Sequence, residues 1–383
     1  MTQVALSAVL LVGAVLFVRT LSAALAVAPG YDIDHVLLVT TDFSVAKLPP
    51  AEVRAAGARV LERVHALPGV QSAAFGQIVP FSGAFVSRPA VPEGQTMTPA
   101  SEDQYLVPYG VISEGYFNTL GMRLIGRDFA PSDTEDAARV VIVNETLARK
   151  YWPGRSALGQ RLTLPLKDAG PSYEVVGVVP DGKYVSLTEQ QHPYLYVPWK
   201  QMHRPRMTLH VRTSGDPMAL AASVRSEVAS VNREVPAYNP ISLATYVDRS
   251  IAQQRIVARL LVLFGAIALA VAAVGVYGLT AFTVARRAKE LGVRVALGAR
   301  PGDLLRMLVT QNVVLIAAGL LIGTGAAFLL TGLVKALLFG VTATDPASFA
   351  AAAALLAMTT LVATIIPARR ATRVDPLAVL RTE

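Results

Sequence analysis

The stretch 260–285, LLVLFGAIALAVAAVGVYGLTAFTVA, decides how the rest of the chain must be read. Its 26 residues carry no charge, and as a helix they are long enough to cross the ~30 Å hydrocarbon core of a bilayer. Two more charge-free runs follow, Met307 to Val334 with 28 residues and Pro346 to Ala368 with 23, and both are long enough to span. A fourth apolar run, Val4 to Val18, stops at Arg19 and resumes from Thr20 to Ala28. Its alternative is a signal peptide, because Ala26-Val27-Ala28 has the form of a cleavage box. Met1-Thr2-Gln3, however, is no basic flank, and Arg19 sits badly beneath a cleavage site. We read it as a spanning helix, and the missing basic flank leads us to expect that residue 1 is not the natural start of this apolar segment.

Composition agrees with uncharged blocks: 53% of the 383 residues are hydrophobic and only 16% are charged, against roughly 25% charged in soluble domains. With no cysteine in the chain, thiolate nucleophiles, zinc fingers and iron–sulfur clusters are excluded. The net charge of +8 invites a nucleic-acid partner, so its placement matters. Residues 29–256 hold 22 Lys and Arg against 22 Asp and Glu, which leaves 13 cations and 5 acids for the apolar parts and their flanks. Cations gathered at the ends of apolar runs orient a membrane protein, so no nucleic-acid partner is expected.

Arg286 to Arg306 carries Arg286, Arg287, Lys289, Arg294, Arg300 and Arg306 against Glu290 and Asp303, and the tail carries Arg369, Arg370, Arg373 and Arg381. The loop between Val334 and Pro346 has only Lys335 and Asp345. The excess of cations predicts that the loop 286–306 and the C-terminus lie in the cytoplasm. The expected protein is an α-helical, multi-pass inner-membrane protein with four transmembrane helices and a large α+β extracytoplasmic domain. Its parts are a first span over 1–28, an extracytoplasmic domain over 29–256, and a three-span region over 257–383 with a cytoplasmic loop at 286–306.

Within the extracytoplasmic domain, Val36 to Asp42 reads as a strand. Ala51 to Leu67 reads as a helix with Val53, Ala56, Val60, Val64 and Leu67 on one face, and Val70 to Gln77 as a second strand. The order recurs: Met207 to Arg212 alternates as a strand, Asp216-Pro217 starts a helix, and Leu220, Val224, Val228 and Val231 form its apolar face. Two βαβ-like units thus bracket a β-rich insert over about 78–206, with strands near Val140 to Val143 and Tyr173 to Val179.

Gly177 to Lys183 fits the first seven positions of a P-loop, but Tyr184 stands where a Ser or Thr hydroxyl should hold Mg²⁺, and no convincing helix follows. We read it as a strand ending in a Pro-Asp-Gly turn. His35, His65, His192, His203 and His210 form no HExxH or i, i+4 pair, and Glu102-Asp103 and Glu135-Asp136 lie in polar, loop-like stretches. No catalytic site and no metal site is named. The three charge-free runs offer no ionisable group for proton or ion coupling. They carry small residues instead, including Gly265, Gly275 and Gly278, the GxxxG pair Gly319 and Gly323, and Ala350 to Ala354, which let helix backbones approach within the protomer or across a dimer.

Between the runs 260–285 and 307–334, Arg286 to Arg300 reads RRAKELGVRVALGAR. Glu290 and Arg294 make an i, i+4 pair, Leu291 with Val295 and Val293 with Leu297 give apolar contacts one turn apart, and Gly298 is a natural stop. Such a short amphipathic helix either slots into a partner's groove or lies on anionic lipid.

This segment resembles the coupling helix of the MacB/FtsX-type ABC transporter permeases, and the terminal Pro367 to Arg381 resembles their C-terminus. Gly115 to Met122 with Gly126-Arg127-Asp128-Phe129, Asn144-Glu145 leading to Tyr151-Trp152-Pro153-Gly154, and Val175 to Val179 are similar to the MacB-like periplasmic core. The resemblance implies a homodimeric or pseudo-dimeric four-span permease with a porter-like base and an inserted β-rich subdomain. It implies that a separate ABC-type ATPase, binding ATP and Mg, grips Arg286, Arg287, Lys289, Glu290, Leu291, Gly292, Arg294, Leu297 and Gly298. The permease then moves its periplasmic domain to export or extract lipid, lipoprotein, peptide or drug-like substrates, with membrane lipids and a periplasmic adaptor as further partners. No cofactor is expected in the chain itself, which would be a non-catalytic subunit. In MacB an ATPase domain precedes the first span; the start seen here is similar to the second half of duplicated, ATPase-less permeases of the family. The competing reading is a non-transporting membrane scaffold or sensor that regulates an envelope partner.

Overall fold

The structure is a computed structural model, and it describes residues 2–83, 85–165, 171–187, 189–287, 290, 294, 301–334 and 340–371. The chain divides into two compact units, one of Met1–Ala26 with Gln253–Glu383 and one of Val27–Ala252.

The helical unit contains α1 (Thr2–Leu25), which runs unbroken through Arg19. The second unit begins with β1 (Val36–Asp42), α2 (Pro50–His65) and β2 (Val70–Gly76). It continues with β3 (Val86–Pro89), β4 (Val91–Pro92), α3 (Glu102–Tyr105), β5 (Leu106–Ile112), α4 (Tyr116–Thr119) and β6 (Ile125–Gly126). Then come β7 (Val140–Asn144), α5 (Glu145–Tyr151), β8 (Arg161–Thr163), β9 (Ser172–Val179) and β10 (Leu195–Pro198). It closes with β11 (Arg206–Thr213), α6 (Ala221–Val231), β12 (Ala237–Ser242) and α7 (Leu243–Ser250).

β1 and β2 both run antiparallel to β11, so they are parallel to each other with β11 between them. β11 and β12 likewise flank β1. The order β12-β1-β11-β2 is therefore two split βαβ units interleaved, an arrangement of the ferredoxin-like kind. Each unit leaves a gap one strand wide between its own two strands, and a strand of the other fills it. Leu37 and Val39 point into the core under α2 and α6, while Val36 and Leu38 point into the core on the other face. Burial of both faces explains why β1 reads as a continuous apolar run rather than an alternating one. The second helix begins later than its apolar pattern suggests, since Pro217–Leu220 form a 3₁₀ turn whose first N–H groups include one held by the Asp216 carboxylate.

The strands between 78 and 206 do not form a sheet of their own. β5 takes up where β2 ends and carries the same sheet onward as β5-β10-β7-β9-β8-β4, with β3 on β5 and β6 on β9. At the seam, β2 and β5 share the single pair Gly76 and Ile112. Gln77 N–H donates to Val111, Ser113 N–H to Phe75, and Phe75 N–H to the Ser113 hydroxyl. Only glycine fits at position 76, because a Cβ would lie 2.7 Å from the Tyr116 ring and 3.0 Å from that of His210.

The helical unit adds α8 (Ala252–Arg286), α9 (Pro301–Val334) and α10 (Pro346–Ala371). Among the described residues, Thr2–Leu25, Ala252–Arg286 and Pro346–Arg369 are long and apolar enough to cross a membrane, and α9 presents a shorter apolar stretch, Ala317–Leu330. Of the apolar window of α1, 44% is buried, against 11% for α8 and 28% for α10, so among these three α1 is the most enclosed. Val4, Ala8, Leu11, Val12 and Leu16 of α1 pack with Ala272, Ala327, Ala352 and Leu356 of the other three helices. Gln3 and the Ser7 hydroxyl also donate to the backbone oxygens of Val271 and Ala268 in α8.

At the other end of α1, Arg19 pairs with Asp345. Asp345 also accepts from the Ser348 N–H at 2.8 Å and from its hydroxyl at 2.6 Å, so it caps α10 just before Pro346. The bonds from Ser348, with Arg19 beside it, hold the Asp345 carboxyl below its usual range.

Two expectations follow. Burial of His210 lowers its pKa from 6.5 to about 4, although its Nδ1–H donates to the Thr208 carbonyl. The unfolded chain therefore takes up this proton first as the pH falls. The stability is fully present above pH 6.5 and declines down to about 4, by about 3 kcal/mol in total. Chemical unfolding followed by tryptophan fluorescence should show that slope in wild type and a flatter one in His210→Phe; equal slopes would contradict the assignment. In the helical unit, Asp345→Ala removes both the cap and the ion pair, so it should lower the melting temperature in detergent more than Arg19→Ala does. The reverse order would show that the cap matters little.

Candidate functional site

α8 ends at Arg286, whose guanidinium lies over the Phe282 ring at 5.7 Å from its centroid. The Arg287 N–H turns back onto the carbonyls of Thr283 and Val284. Beyond it, Arg294 Nη2 meets Glu290 Oε1 at 2.7 Å, one helical turn apart. Both side chains are about half exposed, 46% and 47%, so the pair contributes only about 0.3 kcal/mol to holding its own turn, and its charges remain open to a partner. Arg294 Nη1 also lies 3.0 Å from the Met307 sulfur of α9, which ties the loop to the helix that follows. Of the residues assigned to this loop from sequence, Lys289, Leu291, Gly292, Leu297 and Gly298 lie outside the described residues.

Gly319 and Gly323 are both buried in α9. A Cβ on Gly323 would sit 2.6 Å from the Ala8 Cβ and 2.7 Å from the Ala5 carbonyl, so α9 and α1 approach backbone to backbone there. The same device recurs more loosely in α8, where a Cβ on Gly265 would meet Ala14 and Leu11 at 3.5 Å. Sequence reasoning missed the residues that complete this contact, Gln3, Ser7 and the pair Arg19 with Asp345. The signal was available: a lone cation inside an apolar helix requires a partner, and only a few acids lie near the ends of the other spans.

The segment from Gly177 to Lys183 does other work than hold phosphate. Asp181 accepts from the N–H and hydroxyl of Thr146 at 2.9 and 2.8 Å and from Arg149 at 2.8 Å, which fastens it to the first turn of α5. The Lys183 amine donates to the Glu189 carbonyl. A Cβ on Gly177 would lie 2.9 Å from the Arg127 carbonyl, so the glycine serves strand packing. Pro180 has no N–H to offer, and a carboxylate already stands where an anion would be cradled; the residues do not fit a nucleotide.

The motif halves Gly115 to Met122 and Gly126 to Phe129 are joined through Asp128, which accepts the N–H groups of Gly115 at 3.0 Å and Phe129 at 2.8 Å. Burial raises the Asp128 carboxyl above its usual range despite those two bonds. Asn144 caps α5 through Leu147 N–H and accepts from Tyr194 N–H, which fixes the turn that precedes Tyr151 and Trp152. These motifs therefore build the fold. His65 joins α2 to β2, its Nδ1–H donating to Leu61 and its Nε2 accepting from Ala73 N–H. Glu135 pairs with Arg54. Among the described residues no group of three or more His, Cys, Asp or Glu is placed to hold a metal ion.

Comparison with known proteins adds the family. Residues 3–236 match the MacB-like periplasmic core domain and residues 262–376 match the FtsX-like permease C-terminal domain. The pyoverdine export ATP-binding/permease protein PvdT of Pseudomonas syringae pv. syringae (strain B728a) is 26% identical over 273 residues, covering 67% of this chain and 40% of that protein. The macrolide export ATP-binding/permease protein MacB of Chromobacterium violaceum is 26% identical over 286 residues, covering 71% of this chain and 43% of that protein. The chain thus spans about two fifths of the length of these relatives. The crystal structure of the periplasmic region of MacB from Actinobacillus actinomycetemcomitans aligns with a TM-score of 0.38 at 15% identity, over 58% of this chain and 94% of that one. With the core-domain match running from the first helix to the end of the loop before β12, and the permease match covering most of the helical region after it, the chain belongs to the MacB-like periplasmic core family with an FtsX-like permease C-terminal region.

Proposed function

We propose that the chain acts as a transmembrane permease subunit of an ABC-type exporter in the inner membrane. The observation that carries this reading is the succession of the two family domains, 3–236 and 262–376, in one polypeptide. Relatives named as export ATP-binding/permease proteins support it. In this reading α9 is the remaining span, giving four, with the N-terminus, the loop 286–306 and the C-terminus in the cytoplasm. The sheet unit then lies on the far side of the membrane, in the periplasm.

A separate ABC-type ATPase binds ATP and Mg and grips the loop through Arg286, Arg287, Lys289, Glu290, Leu291, Gly292, Arg294, Leu297 and Gly298. Its closure is relayed through the spans to move the periplasmic part, by mechanotransmission rather than by passage through a central pore. The exported or extracted class is lipid, lipoprotein, peptide or drug-like. A second permease half, identical or related, a periplasmic adaptor and membrane lipids complete the assembly. The half-exposed Glu290–Arg294 pair supports the loop as the docking element, since neither charge is consumed by burial.

In a complex reconstituted with its ATPase, Glu290→Lys, Arg294→Glu and the helix-breaking Val295→Pro should each reduce stimulation of ATP hydrolysis at least about tenfold, the loss of about 1.4 kcal/mol of coupling. The doubly swapped chain, Glu290→Arg with Arg294→Glu, restores the intrahelical pair but not the docking charges, so it should remain uncoupled. Unchanged stimulation in the single variants would remove the coupling role.

A further inference from the structure

The helical unit keeps a groove that its own side chains do not fill. Val274 and Tyr277 of α8 form one wall and Met358, Val362 and Ile366 of α10 the other, around a space of about 560 Å³. That volume lies within the range of small-molecule sites. Between the walls stand small side chains, Ala273 and the buried Ala363. Ala272 and Leu356, close by on the same two helices, pack on α1, so α1 holds α8 and α10 together behind the groove. The wall side chains stay uncovered, Val274 at 71% exposure and Met358 at 60%. The Thr359 hydroxyl, also in the lining, is spent on the Leu355 carbonyl at 2.9 Å. In water such a surface is costly; at membrane depth it is a slot for hydrocarbon.

Length and charge decide which hydrocarbon. Met358 lies eleven residues before Arg369, roughly 16 Å of helix, which matches one half of a ~30 Å bilayer core. Ile366 stands three residues before Arg369, so by helical spacing the exposed Arg369 follows the groove on the same face of α10. The chain of α8 likewise reaches Arg286 and Arg287, about 14 Å of helix beyond Tyr277. Arg286 is folded over the Phe282 ring, which makes Arg287 the counterpart of Arg369. An apolar slot one leaflet long that runs up to two arginines has the chemistry of a phospholipid with a negative head. A second copy of the chain fits it poorly. Docked here about a two-fold axis along the membrane normal, it would bring its own Arg287 and Arg369 to the same depth, like charge against like.

We propose that this groove holds an acyl chain of an anionic phospholipid from the cytoplasmic leaflet, with the phosphate between Arg369 and Arg287. Basic sites between spans on the cytoplasmic side are where anionic headgroups bind, and arginine side chains reach outward to that level. The inference rests on the reading of α8 and α10 as spans whose C-terminal ends face the cytoplasm. It adds to that reading which membrane lipid is held and where, and it requires no motor.

The test uses the full chain in nanodiscs of phosphatidylcholine, a fixed fraction of which is replaced by phosphatidylglycerol or phosphatidylcholine with dibrominated acyl chains, which quench tryptophan on contact. Tyr277→Trp places a reporter in the groove wall. Val314→Trp, made separately, places one at a 64% exposed position of α9, about 12 Å of helix from Arg306. The unsubstituted chain, whose Trp152 and Trp199 belong to the sheet unit, sets the background. At position 277 the brominated phosphatidylglycerol should bind at least about fivefold more tightly than brominated phosphatidylcholine, the worth of one arginine at an anionic headgroup. That preference should exceed the one at position 314. Arg369→Gln with Arg287→Gln should abolish it at 277 while quenching by phosphatidylcholine stays unchanged, a pattern that misfolding would not produce. A preference at 277 no greater than at 314, or one that survives loss of both arginines, would overturn the proposal. Quenching at 314 with none at 277 would also overturn it, by showing that protein covers the groove. In each of these cases the export reading stands, whereas absence of quenching at both positions would remove the membrane reading and this inference with it.

Discussion

Hydrocarbon is a solvent that tolerates neither a free charge nor an unpaired backbone amide, and the helical unit is organised by that fact. A helix satisfies its own amides, so α1, α8, α9 and α10 run as long continuous elements. With lipid as apolar as leucine, association between them rests on close packing and on hydrogen bonds between helices. α1 supplies both. Ala5 and Ala8 let Gly323 come into backbone contact, and Gln3 and Ser7 bond to carbonyls of α8. The one charge inside α1, Arg19, is matched by Asp345, which at the same time satisfies the first amides of α10.

In the sheet unit the governing constraint is burial on both faces. Two split βαβ units lend each other a strand, and the sheet that results is covered by α2 and α6 on one side and by the tyrosine-rich cluster on the other. Continuation of that sheet through a single pair at Gly76 and Ile112 places α4, with Tyr116 and Phe117, directly against β11 and β10. A methyl group at position 76 would strike the Tyr116 ring.

Much of this was legible in the residues. The lengths of the charge-free runs, the neutral block over 29–256 and the face formed by Val53, Ala56, Val60 and Val64 depend on short-range periodicity or on simple counting, and both survive folding unchanged. The Glu290–Arg294 pair was legible for the same reason, because the two residues are neighbours by helical spacing alone. The interleaving of the strands was not, since a strand carries no local mark of which partner will lie beside it. The meeting of Arg19 with Asp345 joins residues separated by 326 positions.

The amino-acid sequence by itself determined that this chain has membrane-spanning helices, a large mixed domain between the first of them and the rest, and a basic amphipathic loop at Arg286 to Arg300. Those properties follow from hydrophobicity, charge and period, which are sums over neighbouring residues. Tertiary structure alone decided that the two βαβ units interlock, that Gly323 faces α1, and that the segment after Gly177 is spent on capping α5. Each of those outcomes depends on contacts between distant residues, whose free energy exists only once the chain has closed its loops and excluded water from between the elements.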